Sequence, residues 1–161
     1  YHAKVSTYFV LKEVSGSWNR RNHKGLLRLE DQARKPAYFA YQNLIATLQG
    51  EFESLSTEDV DIEIIDWGDF PGTLPKNIFT VKLEDDKGQQ YLAYWFMLRS
   101  QNHCQPGAVN IKCNDFDSNQ IEFVDLMSGS RYTPNNIEKK GKSIIFKELP
   151  IADYPFIIIA K

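Results

Sequence analysis

The chain has 161 residues, of which 42% are hydrophobic and 25% charged, with 9 glycines and 7 prolines. That is the make-up of one folded domain, or of one domain joined to a fragment of another, and not of a disordered or fibrous protein. Nineteen Lys and Arg against twenty-one Asp and Glu leave a formal net charge of -2. No overall basic field therefore draws nucleic acid or an anionic membrane surface, and no apolar run approaches the roughly 18 residues of a spanning helix. The chain begins on Tyr1 with no apolar leader behind it, which reads as the cut end of something longer. The two cysteines, Cys104 and Cys113, belong to no C-x-x-C pair, so zinc and thioredoxin-like chemistry have no support. A local disulfide across a hairpin and a pair of half-buried thiols both fit their spacing.

In the first fifty residues, residues 5–11 are β-branched, aromatic and nearly continuously apolar, which predicts a strand covered on both faces. A polar loop over residues 13–24 holds Glu13, Trp18, Arg20, Arg21 and His23. A short apolar run at 25–29 and a turn at Glu30, Asp31 and Gln32 lead to Pro36, placed as a first-turn proline. From there Ala37, Phe39, Ala40, Tyr41, Leu44, Ile45 and Leu48 recur at three- and four-residue steps, predicting an amphipathic helix that stops at Gly50. Such a β-α unit needs neighbours on its edges and faces.

From Asp59 onward the rhythm changes to period two. Val60, Ile62 and Ile64 alternate with acidic residues up to Trp67. Residues 78–83 and 90–98 flank an Asp/Gly turn at 85–88 and predict a hairpin. Strands are expected at 108–113, 121–127, 143–149 and 156–160, with turns between them. Seven or so short strands without a second helix predict an antiparallel, Greek-key-like β-sandwich. On the pleat, Tyr91, Ala93, Trp95 and Met97 share one face while Leu92, Tyr94, Phe96 and Leu98 share the other. Both faces are apolar, so both must be covered.

The run Lys35-Pro36-Ala37-Tyr38-Phe39-Ala40-Tyr41-Gln42-Asn43-Leu44, preceded by Gly25-Leu26-Leu27, resembles the last helix of a clan A glycoside hydrolase (β/α)8 barrel. Such barrels often continue into a small β-sandwich. There, a strand similar to residues 92–96 precedes one like Val124-Asp125-Leu126-Met127-Ser128-Gly129, and a close like residues 149–158 follows. The resemblance implies residues 1–50 as the terminal strand and helix of a barrel, 51–58 as a linker and 59–161 as the appended sandwich. It implies a polysaccharide-degrading parent, xylanase- or cellulase-like and secreted or periplasmic, whose substrate is a poly- or oligosaccharide. No catalytic residue is expected here. The two carboxyl groups of that chemistry, about 5–5.5 Å apart in the retaining case, follow an Asn on strand four and end strand seven in the family. No Asn-Glu pair occurs in this chain.

Substrate contacts are then expected where the barrel strand ends, at Trp18 and Glu13, because barrel sites gather at the C-terminal face of the strands. An indole stacks on the C–H face of a sugar and a carboxylate accepts from a hydroxyl; covering the barrel edge and capping a strand are the structural alternatives. No metal site and no cofactor are expected. The phrase Asp115-Phe116-Asp117-Ser118-Asn119 starts like a calcium loop, but Gln120 stands where glycine is required and Leu126 where the bidentate Glu belongs. His103 and Cys104 are adjacent; on extended chain such neighbours would point to opposite faces and not share a proton, and a loop there weakens that objection without creating a site. Two other readings stay open: a carbohydrate-binding sandwich without catalysis, and an interaction domain unrelated to carbohydrate.

Overall fold

The segment Phe156-Ile157-Ile158-Ile159-Ala160 has no polar side chain, and every one of its residues is buried. A strand of this kind needs a hydrogen-bonded neighbour on each edge and an apolar layer on each face. A computed structural model supplies both; it describes residues 14–15, 21–22, 26–28, 30–70, 78–97, 105–114, 116 and 120–161.

The elements in chain order are β1 (Val14–Ser15), β2 (Arg21–Asn22), α1 (Pro36–Thr47), β3 (Phe52–Leu55), β4 (Val60–Asp66), β5 (Ile78–Asp85), β6 (Gln90–Phe96), β7 (Gly107–Asn114), β8 (Ile121–Asp125), β9 (Arg131–Tyr132), β10 (Ile137–Lys140), β11 (Ser143–Ile151) and β12 (Phe156–Ala160). The protein is mainly β. A six-stranded sheet runs β3-β5-β6-β12-β8-β9, a four-stranded sheet runs β10-β11-β7-β4, and β1 pairs with β2. All pairings are antiparallel.

Residue chemistry explains the pieces. At the β5–β6 hairpin, Asp85 Oδ1 accepts from the amides of Lys87 and Gln89 at 3.0 and 2.8 Å, and Gly88 takes φ +78°, so the turn satisfies its own backbone. Pro36 opens α1 at its first turn, as expected. One cluster of buried side chains is contributed by both large sheets: Leu92, Tyr94 and Phe96 of β6 and Phe156 and Ile158 of β12 meet Val109, Ile111 and Cys113 of β7 and Ile144, Phe146 and Ile151 of β11. The arrangement is β-sandwich-like.

Several expectations need amending. Residues 51–58, expected as a linker, contain β3, an edge strand paired with β5 from Phe52↔Asp85 to Leu55↔Lys82. The short strands β9 and β10 were not foreseen. The strand expected at 5–11 lies outside the described residues, so of the expected β-α unit the helix is the part on view.

Two backbone seams fix the loops at one end. A Cβ on Gly107 would stand 2.4 Å from the carbonyl oxygen of Asp66, and one on Gly68 would stand 2.4 Å from that of Gln105. Nothing larger than hydrogen fits. Near the other end, the buried Lys82 ammonium reaches across the sandwich to Asp59 Oδ2 at 2.6 Å and the Asn114 carbonyl at 3.3 Å. Cys113 Sγ, fully buried, lies 3.9 Å from the same carboxylate oxygen.

The Lys82 contact predicts a specific pattern of stabilities. Asp59→Ala strands a buried ammonium and lowers the unfolding free energy by about 3 kcal/mol, while adding Lys82→Met recovers most of that loss. Urea melts of the two variants check it; equal losses would show that the pair is not what matters. Gly107→Ala is expected to cost about 2–3 kcal/mol in the same melts.

Candidate functional site

The two outer faces of the sandwich-like body differ in kind. On the four-stranded sheet, the row Asp61↔Lys112↔Ile145↔Glu138 crosses from β4 to β10. The next row sets Glu63 opposite Asn110, whose Nδ2 donates to Glu63 Oε2 at 3.0 Å. This is a solvated surface of mixed charge.

The six-stranded sheet shows the opposite. Its rows are Leu83↔Tyr91↔Ile159, Val81↔Ala93↔Ile157↔Val124 and Phe79↔Trp95. Helix α1 covers part of this face. Leu44 and Leu48 pack onto a second buried cluster of Tyr91, Val124, Leu126, Ile157 and Ile159, joined by Phe52, whose ring meets Tyr91 edge-on at 5.3 Å. Polar contacts set the helix in place. Asn43 Nδ2 donates to the Leu126 carbonyl at 2.9 Å, and Arg131 Nη2 donates to Thr47 Oγ1 at 2.7 Å. The turn below has Gly129 at φ +75°, where a Cβ would come within 3.0 Å of the Asn43 amide.

Apolar surface remains on both bodies. Phe39 and Ile45 on the far side of α1 are 41% and 55% exposed, and on the sheet Phe79 and Met97 are 44% and 61% exposed. Phe79 and the half-buried Trp95 lie 4.8 Å apart at 44°. A helix that turns Phe39 and Ile45 outward, on a sheet whose outer face stays apolar at Phe79 and Trp95, offers apolar surface to a further layer.

Trp18 and Glu13, the expected substrate contacts, lie outside the described residues, as do Arg20 and His23. So do His103, Cys104 and, apart from Phe116, the Asp115 to Asn119 phrase. Phe116 is fully buried and meets Phe146 edge-on at 6.1 Å. Trp67 does not project as a platform: it stacks on Phe96 at 5.4 Å and 10° and walls the inter-sheet core. Among the described residues no three His, Cys, Asp or Glu side chains are grouped to hold a metal ion. The acidic cleft beside β3, with Glu51, Glu53, Glu84, Asp85 and Asp86, is spent in part on structure: Asp85 caps its turn and Glu84 accepts from Gln90. The residues that fasten α1, namely Asn43, Thr47 and Arg131, were missed by sequence reasoning. The pairs Asn43–Leu126 and Thr47–Arg131 are too distant in the chain for any local pattern to signal.

No protein-family model matches the chain, and no curated protein matches it.

Tyr91 provides a titration under the helix. Burial, then the charge of Asp85, whose Oδ2 accepts from the phenol at 3.2 Å, pushes Tyr91 up from 10.0 to about 12. A folded-state value above the unfolded one contributes stability that is complete below the unfolded value and is lost as pH rises through the folded one. Stability is therefore expected to fall between pH 10 and about 12. Burial also raises Tyr94, Tyr132 and Tyr154, so Tyr91→Phe should remove one group's share of that fall in pH-dependent melts; a profile unchanged by the substitution would exclude a contribution from Tyr91.

Proposed function

We propose that this chain is the C-terminal, non-catalytic part of a polysaccharide-degrading glycoside hydrolase, secreted or periplasmic, in which the Greek-key-like sandwich packs on a catalytic (β/α)8 barrel and stabilises it. The carrying observation is α1. The segment that resembles the last helix of such a barrel is seated on the sandwich by Leu44 and Leu48 and turns Phe39 and Ile45 outward. A barrel helix at a domain junction has this double loyalty, one face to each body. The polar outer face of the four-stranded sheet and the apolar outer face of the six-stranded one support the same direction of docking. In this reading residues 1–50 complete the barrel and the catalytic carboxylates lie on earlier strands. Poly- or oligosaccharide is then met by the parent enzyme, with Trp18 and Glu13 at the mouth.

A glycan-binding module working through stacked rings has less support. A pyranose chain lies on coplanar aromatics, whereas Phe79 and Trp95 are tilted by 44°.

The test begins with the coding sequence upstream of Tyr1. An uninterrupted frame of about 250–300 residues, the size of a barrel, with an Asn-Glu pair on its fourth strand is expected. A start codon a few residues ahead would sink the proposal. In the parent enzyme, the triple substitution Phe79→Ser, Trp95→Ser, Met97→Ser should lower the melting temperature. In the isolated chain the same change should reduce binding of a hydrophobic dye. An unchanged melting temperature in the parent would mean that this face is not the docking face.

A further inference from the structure

Among the described residues, two buried clusters lie on opposite faces of the six-stranded sheet and share no side chain. The inter-sheet cluster is built by both large sheets and holds nothing from α1. Helix α1 enters only the outer cluster, through Leu44 and Leu48. The two sheets therefore close on each other without needing the helix.

Little in α1 makes it a helix on its own. Of its 12 residues only Thr47 is buried; no side chain caps its start at Lys35, its first turn has no acid and its last turn no base. A helix of that length without such aid is marginal in water and keeps its shape through what it packs on. Just past it the chain reaches Gly50 at φ +106°, where a Cβ would meet nothing within 4 Å. That is an unencumbered bend between α1 and β3.

The sheet below can spare most of the polar contacts of the seat. The β8–β9 turn is satisfied by its own residues: Asp125 Oδ1 accepts from the Met127 amide at 2.8 Å, and Oδ2 from the Ser128 hydroxyl at 2.7 Å. Without α1 it loses the bond from Asn43 to the Leu126 carbonyl, which water replaces. Arg131 is different. It stands on the sheet, tied to Glu122 at 3.3 Å, and donates up to Thr47 Oγ1 at 2.7 Å, the charge-assisted bond of the seat.

We infer that α1 is a separable cover: it leaves the six-stranded sheet as one unit while both sheets stay folded, and the Arg131–Thr47 bond holds the closed state. Opening bares Tyr91, Val124, Leu126, Ile157 and Ile159, and any layer that buries Phe39 and Ile45 of the seated helix favours closure. The inference rests on the two clusters and does not need the barrel.

Native-state hydrogen exchange on the whole 161-residue chain, in the regime where exchange reports equilibrium opening, is the test. Amides of residues 41–47, corrected for intrinsic rates, are expected to exchange about a hundredfold faster than those of 157–159, and to respond weakly to urea where the strand responds steeply. Asp59→Ala, which weakens the sandwich, should speed the strand amides by about a hundredfold and leave those of α1 unchanged. Equal acceleration of both, or one shared urea slope, would show that α1 leaves only when the whole molecule unfolds, and would overturn the inference. Arg131→Ala should speed the α1 amides about tenfold. If that variant does not fold, Thr47→Val reads the same bond; where both fold, the double variant should do no more than either alone. Helix amides indifferent to both substitutions would overturn the role given to Arg131. Failure here leaves the upstream-frame test of the barrel untouched.

Discussion

Everything in this protein is arranged around a strand that cannot face water. β12 is central in its sheet, hydrogen-bonded to β6 on one edge and β8 on the other, with Phe156 and Ile158 on one face and Ile157 and Ile159 on the other. Each such Ile removed from water contributes about 2–3 kcal/mol, so leaving either face bare would forfeit several times that. One face is met by the four-stranded sheet. The other is met by a helix, and the polar fastenings of that helix follow from where it must lie.

The helix is itself an incomplete solution, because covering one apolar face with an element that is apolar on both sides passes the requirement outward. The four-stranded sheet does not do this. It ends the stack with alternating charge, and so the molecule has a dry direction and a wet one. The proposed place of the chain beside a barrel grows from that polarity.

Much of the sandwich-like part was legible in the sequence, because period-two alternation is a local property. Val60, Ile62 and Ile64 announced β4, the turn from Asp85 to Gly88 announced a hairpin, and the apolar run at 156–160 matches β12 residue for residue. The division of faces on β6 followed from the pleat alone. Hidden were the elements that neighbours impose. β9 has two residues, β10 reads Ile-Glu-Lys-Lys, and β3 carries two polar residues in four, so none makes its own case. The order of strands was equally unreadable, since β12 inserts between β6 and β8 by complementarity of surfaces far apart in sequence. The same holds for Lys82 with Asp59 and for Arg131 with Thr47. Among the rings, Trp67 is stacked into the wall of the core, while Tyr132, which no sequence pattern singled out, is 45% exposed.

The edges of the four-stranded sheet carry a further consequence. β10 presents Glu138, Lys139 and Lys140, and β4 presents Asp61, Glu63 and Asp66 with a bulge between Ile64 and Asp66. Charge and irregularity at an unpaired strand discourage a second molecule from extending the ladder. The two margins are of opposite sign, though, so copies meeting side by side would attract while the bulge in β4 opposed a common register. Such a border makes any edge-to-edge approach a matter of charge, weakened by salt, rather than of shared backbone pairing.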